Sequence, residues 1–170
     1  MGVKLSSLVE KEPIQFEQMA GKSLAIDFSN FAFQFLSSVR QYDGTPLMDR
    51  HGNITSHLVG IWSRFSNLIQ KGIKLVIVLD GIPPKEKIRE TELRHERKQE
   101  AKKKHEKAAE DGDEEMMARY AKQFSFLTRE MIDESVELME AMGLPVIQAP
   151  SESDAQMAYL NKQGDVWATA

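Results

Sequence analysis

The chain has 170 residues, 41% of them apolar and 8% aromatic, enough for one domain with its own core and too much for a disordered tail. No run approaches the ~20 apolar residues of a membrane span, the N-terminus lacks the apolar core of a secretory signal, and there is no cysteine for a disulfide, a thiolate metal site or a thiol nucleophile. A soluble, intracellular protein is expected. The net charge of −4 argues against nucleic acid as a partner only until its distribution is read. Lys85, Lys87, Arg89, Arg94, Arg97, Lys98, Lys102, Lys103, Lys104 and Lys107 make one stretch basic, while acids gather at 110–115 and 133–140.

At the start, Gly2 and Ser6 fit an N-myristoylation pattern, but no polybasic stretch follows to supply the second signal that stable anchoring needs. No membrane partner is expected. Lys22 to Asp27 and Ile73 to Asp80 are apolar runs rich in β-branched residues, of the length of strands buried on both faces, and each ends in an aspartate. Between them, Ser29 to Arg40 reads as a helix. Residues 41 to 54, with Gly44, Pro46, Gly52 and Asn53, read as a loop or short hairpin. Thr55 to Lys71 carries Leu58, Ile61, Trp62, Phe65, Leu68 and Ile69 at helical spacing before Gly72.

Residues 84 to 127 break the alternation. From Pro84 to Glu110 nearly every residue is charged or polar with little apolar periodicity, so the segment has no face to bury, and a second helix is expected from Asp113 to Leu127. Together they form a helical excursion projecting from the sheet. Thr128 to Met142 is the next core helix, with Met131, Ile132, Val136, Leu138, Met139 and Met142 as core filler. Leu144 to Gln148 is a third strand, Ala155 to Lys162 a helix, and Asp165 to Ala170 begins a fourth strand. The expected fold class is α/β, a mostly parallel central sheet flanked by helices. It divides into an N-terminal region (1–83), the excursion (84–127) and a third part (128–170).

In such a sheet the carboxyl edge is the place for a site. Asp27 and Asp80 end strands there, and the third strand leads into Glu152 and Asp154, which would overhang the same edge. Each acid has an ordinary reading, as a turn residue or, over Ser151 to Asp154, as part of a capping box. Four together repel one another and call for cations. Oxygen ligation without His or Cys suits Mg²⁺, with Mn²⁺ as substitute. His51, His57, His95 and His105 read as loop or polar-face residues, not ligands. Acids holding two such ions hydrolyse phosphodiesters with no covalent nucleophile, and the basic excursion supplies a surface for the substrate backbone.

The segments Ala25-Ile26-Asp27, Phe33-Gln34-Phe35-Leu36 with Val39-Arg40, Thr55-Ser56-His57-Leu58, Gly72-Ile73-Lys74, Leu79-Asp80-Gly81, Pro83-Pro84 and Ala149-Pro150-Ser151-Glu152 resemble, in order, the flap endonucleases of the XPG-type 5′ nuclease superfamily. The resemblance runs the length of the chain and implies a PIN-like 5′ nuclease fold with residues 84–127 as a helical arch that the single-stranded flap threads. It implies a Mg²⁺-dependent, structure-specific 5′ flap endonuclease and 5′-3′ exonuclease of DNA replication and repair, monomeric, acting on branched DNA in the cytoplasm of a prokaryote or the nucleus of a eukaryote. Asp27, Asp80, Glu152 and Asp154 match the family's metal-site acids, the last being more usually Glu. Lys87 and Arg94 match the basic pair that contacts the scissile phosphate, and their spacing of seven independently puts both on one helix face. Phe33 stands where the family has a base-stacking aromatic, usually Tyr. Arg40 and Arg64 match backbone-contacting arginines, and Gly2 the processed N-terminus near the DNA.

The family places further aspartates, a helix-hairpin-helix element and a sliding-clamp peptide beyond Ala170. The chain is therefore expected to be truncated, with an incomplete two-ion site, weak metal binding and little turnover. A non-catalytic DNA-binding fragment and a PIN-type ribonuclease are the alternatives. An aspartyl phosphatase is disfavoured because Asp27-Phe28-Ser29 lacks the second aspartate of that chemistry.

Overall fold

The computed structural model describes residues 12–42, 44–84 and 127–170, together with Lys87, Arg89, Leu93, Glu96, Arg97, Gln99, Glu100, 103–104, 107–108, 111–113 and Met116 of the intervening segment. Two strands form its centre. β1 (Ser23–Asp27) and β2 (Lys74–Leu79) pair in parallel, with Ser23 opposite Lys74 and Asp27 opposite Val78. β3 (Val146–Gln148) adds beyond β2 and β4 (Ala168–Thr169) beyond β1, giving the order β3-β2-β1-β4 with every pairing parallel.

Continuous apolar runs suit β1 and β2 because helices cover both faces of the sheet. On one face Leu24, Ile26, Leu75, Ile77 and Leu79 meet Phe28, Ala32 and Phe35 of α1 (Phe28–Ser38), Ile61, Phe65 and Leu68 of α2 (Ser56–Gln70), and Met139 of α3 (Arg129–Ala141). On the other, Ala25 and Val78 meet Met157 and Leu160 of α4 (Ser153–Gln163). The rings of Phe31, Phe35 and Phe65 lie 5.9 to 6.2 Å apart, and burying one such side chain contributes about 1.5–3 kcal/mol. α1 and α2 cross so closely at Gly60 that a Cβ there would run into the Phe35 side chain.

The α/β expectation holds, with strands shorter than their apolar runs. α2 buries a narrower stripe than expected: Ile61, Phe65 and Leu68 are inside, whereas Trp62 is 59% exposed and Ile69 also faces outward. Residues 40–54 form a short hairpin through the bridges Arg40 to Pro46 and Met48 to Ile54. Its tip is closed by the Asp49 carboxylate, which accepts from the backbone N–H of His51 at 2.8 Å and of Asn53 at 2.9 Å. A 3₁₀ turn at Phe16–Met19 precedes β1 and was not foreseen.

Within 84–127 the described residues from Lys87 to Ala108 are helical and, Ala108 apart, exposed, as their lack of apolar periodicity requires. Asp113 Oδ1 accepts from the Met116 N–H at 3.0 Å where helix resumes, and most of the expected second helix lies outside the described residues. Among the described residues no helix is long and apolar enough to cross a membrane.

Candidate metal centre

Asp27 closes β1 and Asp80 follows β2 by one residue, so the two acids leave neighbouring strands at one carboxyl edge. The exits of β2 and β3 are lashed together. Ala149 N–H donates to the Leu79 carbonyl at 2.9 Å and Gly81 N–H to the Ser151 carbonyl at 2.5 Å, while Gln148 Nε2 donates to the Asp80 carbonyl at 2.6 Å. The Ser151 hydroxyl reaches the Ile82 carbonyl at 3.1 Å. This crossing requires Gly81, because a Cβ would be driven into the Ala149 carbonyl oxygen. It brings Glu152 and Asp154, at the start of α4, over the edge that carries Asp27 and Asp80.

The ordinary capping role of the acids is realised in an unforeseen way. The capping box expected over 151–154 does not form: Glu152 occupies the N-cap position of α4 with no capping bond from its side chain. Its Oε1 lies 2.5 Å from Lys87 Nζ. Asp80 supplies the cap from another strand, its Oδ1 accepting from the Ser153 N–H at 2.9 Å. The nearby hydroxyls of Ser29 and Ser153 help to lower the Asp80 pKa. Asp27 caps α1 through the Asn30 N–H at 3.1 Å.

These neighbours set the charge states. Burial pushes the Asp27 carboxyl above its usual range, the negative charges of Asp80 and Asp154 add to this, and the Asn30 hydrogen bond only partly opposes it. Burial pushes Asp80 the same way, but hydrogen bonds from Ser29 and Ser153 and the charge of Lys87 outweigh it and hold the group below that range. Asp27, Asp80 and Asp154 thus share one electrostatic neighbourhood with few positive partners, and a cation would relieve their repulsion. The all-oxygen donor set fits a hard divalent ion. Among the described residues no three His, Cys, Asp or Glu side chains form a ready-made ligand cluster. Mg²⁺ needs none, since it takes one or two carboxylates and completes its shell with water and substrate phosphate.

The remaining candidates fall into two groups. Phe33 is 37% exposed on α1 while Phe31 and Phe35 take the core side. Arg64 is exposed on α2 and borders, with Gln34, Ser38, Val39 and Asn67, a groove of about 500 Å³ between α1 and α2. Arg40 follows the groove residue Val39; its Nη1 donates to the Gly44 carbonyl at 2.9 Å and its Nε to the Ser37 carbonyl at 3.1 Å, so it also holds the hairpin. Gly2 and Arg94 lie outside the described residues. His57, expected on a polar helix face, is instead fully buried between α2 and α3, with Nε2 3.2 Å from Glu134 Oε2. Sequence reasoning also passed over Ser29 and Ser153; Ser153's place between two acids was the available signal.

Residues 1–101 match the family profile described as XPG N-terminal domain, and residues 143–170 the one described as XPG I-region. The chain belongs to the XPG family. Within it, flap endonuclease 1 of Ignicoccus hospitalis is 48% identical over 160 residues, covering 94% of this chain and 46% of the relative. Flap endonuclease 1 of Pyrococcus furiosus is 45% identical over 170 residues, covering 100% and 50%. Among solved structures, flap endonuclease-1 from Methanococcus jannaschii superposes with a TM-score of 0.72 at 41% identity, over 99% of this chain and 53% of that one. The catalytic core of Rad2 in complex with DNA substrate matches with a TM-score of 0.61 at 27% identity, over 93% and 41%. This XPG-family chain spans about half the length of the curated relatives it matches, and it resembles their N-terminal part.

Proposed function

We propose that this chain carries the metal-binding edge and arch of a structure-specific 5′ flap endonuclease that hydrolyses DNA phosphodiesters with divalent metal ions, Mg²⁺ by preference. The supporting observation is the meeting of Asp27, Asp80 and Asp154 in one negative field at the ends of adjacent parallel strands, with Glu152 beside them. Family membership and likeness to flap endonucleases give that edge its chemistry.

Asp27, Asp80, Glu152 and Asp154 would hold the ions, which when bound supply an activated water and charge stabilisation at the leaving oxygen. Lys87, 2.5 Å from Glu152, would bind the scissile phosphate, with Arg94 assigned beside it. Phe33 offers an exposed ring for a base, and Arg64, Arg40 and Gly2 the positive contacts to the DNA backbone. Residues 84–127 serve as the arch, and 1–83 and 128–170 as the parts that close the edge.

Single-turnover cleavage of an end-labelled 5′-flap DNA, with the chain in excess and Mg²⁺ present, tests this. Asp80→Asn is expected to abolish cleavage while leaving flap binding within about twofold. A non-catalytic DNA-binding role gains some support from the Lys87–Glu152 pair, which satisfies a would-be ligand internally; it prevails if Asp80→Asn alters binding alone.

A further inference from the structure

Where the chain leaves the sheet edge for the helical segment, it stays fastened to the start of α4. Gly81 N–H donates to the Ser151 carbonyl and the Ser151 hydroxyl to the Ile82 carbonyl, and the seam continues in the ion pair of Lys87 Nζ with Glu152 Oε1 at 2.5 Å. Lys87 stands at the beginning of the helical segment, its N–H donating to the Pro84 carbonyl at 2.9 Å. The Glu152 side chain makes no capping bond to α4, and its carboxylate meets Lys87 instead. An ammonium and a hard divalent ion want the same partner, a carboxylate oxygen. Two cations on one carboxylate repel each other, so each weakens the hold of the other. The Lys87 side chain is 53% exposed on a flexible four-carbon stem, and it can swing into water at little cost.

We propose that Lys87 is a built-in competitor at the metal edge: its ammonium holds Glu152 until a divalent ion takes that carboxylate, whereupon Lys87 turns outward toward a phosphate and the helical segment loses this tie to α4. This rests on the nuclease reading, in which Glu152 is a ligand. The competition is reciprocal, the pair weakening the ion's binding by the same factor by which the ion weakens the pair. Other roles predict other signs. A lysine that orients Glu152 for the ion would tighten binding, and a pair that only fastens the segment would leave binding unaltered.

Mn²⁺ binding to the whole chain, followed at fixed pH and ionic strength by loss of the free-ion electron paramagnetic resonance signal, separates these roles. Lys87→Met is expected to bind Mn²⁺ about threefold more tightly than wild type, the size that one half-exposed ion pair can contribute. Arg89→Met removes the same charge from an exposed position two residues on, and is expected to bind as wild type does. Unchanged or weaker binding in Lys87→Met overturns the competition. An equal gain in Arg89→Met overturns it too, because the effect would then belong to overall charge and not to the pair. Either result leaves the nuclease reading standing. A wild-type chain that takes up no Mn²⁺ overturns that reading, and the competition with it.

Discussion

At Gly81 a single missing methyl group decides whether β2 and β3 can exit together. The atoms a Cβ would meet are the Ala149 carbonyl and the Pro150 backbone, none of which can swing aside as a long side chain would. Gly81→Ala is therefore expected to cost toward the upper end of the ~1–3 kcal/mol typical of overpacking, read as a lower urea midpoint. His57 makes a prediction about pH. Its imidazole is fully buried and Nδ1 has no hydrogen-bond partner among the described residues, so burial holds its pKa below the ordinary 6.5 although Glu134 pulls the other way. The unfolded chain then binds the proton first. Stability from the neutral ring is complete above about pH 6.5 and is lost as pH falls from there toward the folded-state pKa. Melting curves between about pH 7.5 and 5.5 should show that decline, and His57→Gln should flatten it. Asp27 and Asp80 could be found from sequence because position at a strand's end is a local property. His57 stands four residues before Ile61 on the stripe that continues through Phe65 and Leu68, so its burial was legible in the spacing, whereas the bond from Ser153 to Asp80, 73 residues apart, is tertiary and left no local trace.

Among the elements, β1 and β2 were legible because a strand covered on both faces must be apolar throughout, and only such a run has that signature. β3 and β4 are only three and two residues long, and their apolar flanks hid where pairing stops. α2 shows the opposite limit. Its apolar residues outnumber those the sheet can cover, so periodicity alone overstated the buried face, and Trp62 faces outward. What holds α2 against α1 is Gly60. Helix propensity would favour alanine there by about 1 kcal/mol, but the new methyl would enter the Phe35 side chain, whose ring is hemmed in by Phe31 and Phe65. Packing should win. Gly60→Ala is expected to be destabilising by about 1–2 kcal/mol net, a loss of several degrees in Tm, with the sheet edge unchanged in its Mn²⁺ affinity.

For the whole molecule the net charge of −4 and the proposed DNA partner are reconciled by where the charges lie. Under the proposed function the acids at the sheet edge would hold the cations, and the described bases between Lys87 and Lys107 are exposed on a helical segment. Binding driven by such bases releases counterions, so the logarithm of affinity for flap DNA should fall linearly with the logarithm of salt concentration. The groove arginines divide on this test. Arg40 spends hydrogen bonds on the Gly44 and Ser37 carbonyls, so its removal would mix loss of the proposed phosphate contact with a loosened hairpin. Arg64 is exposed at the groove rim, and its removal should change charge alone. Arg64→Ala is expected to reduce the salt slope by about 0.9 if its phosphate lies in duplex, or about 0.7 if in single strand, with the melting temperature unmoved. An unchanged slope would remove Arg64 from the interface, and a slope change of the single-strand size would place the flap, rather than the duplex, across the groove between α1 and α2.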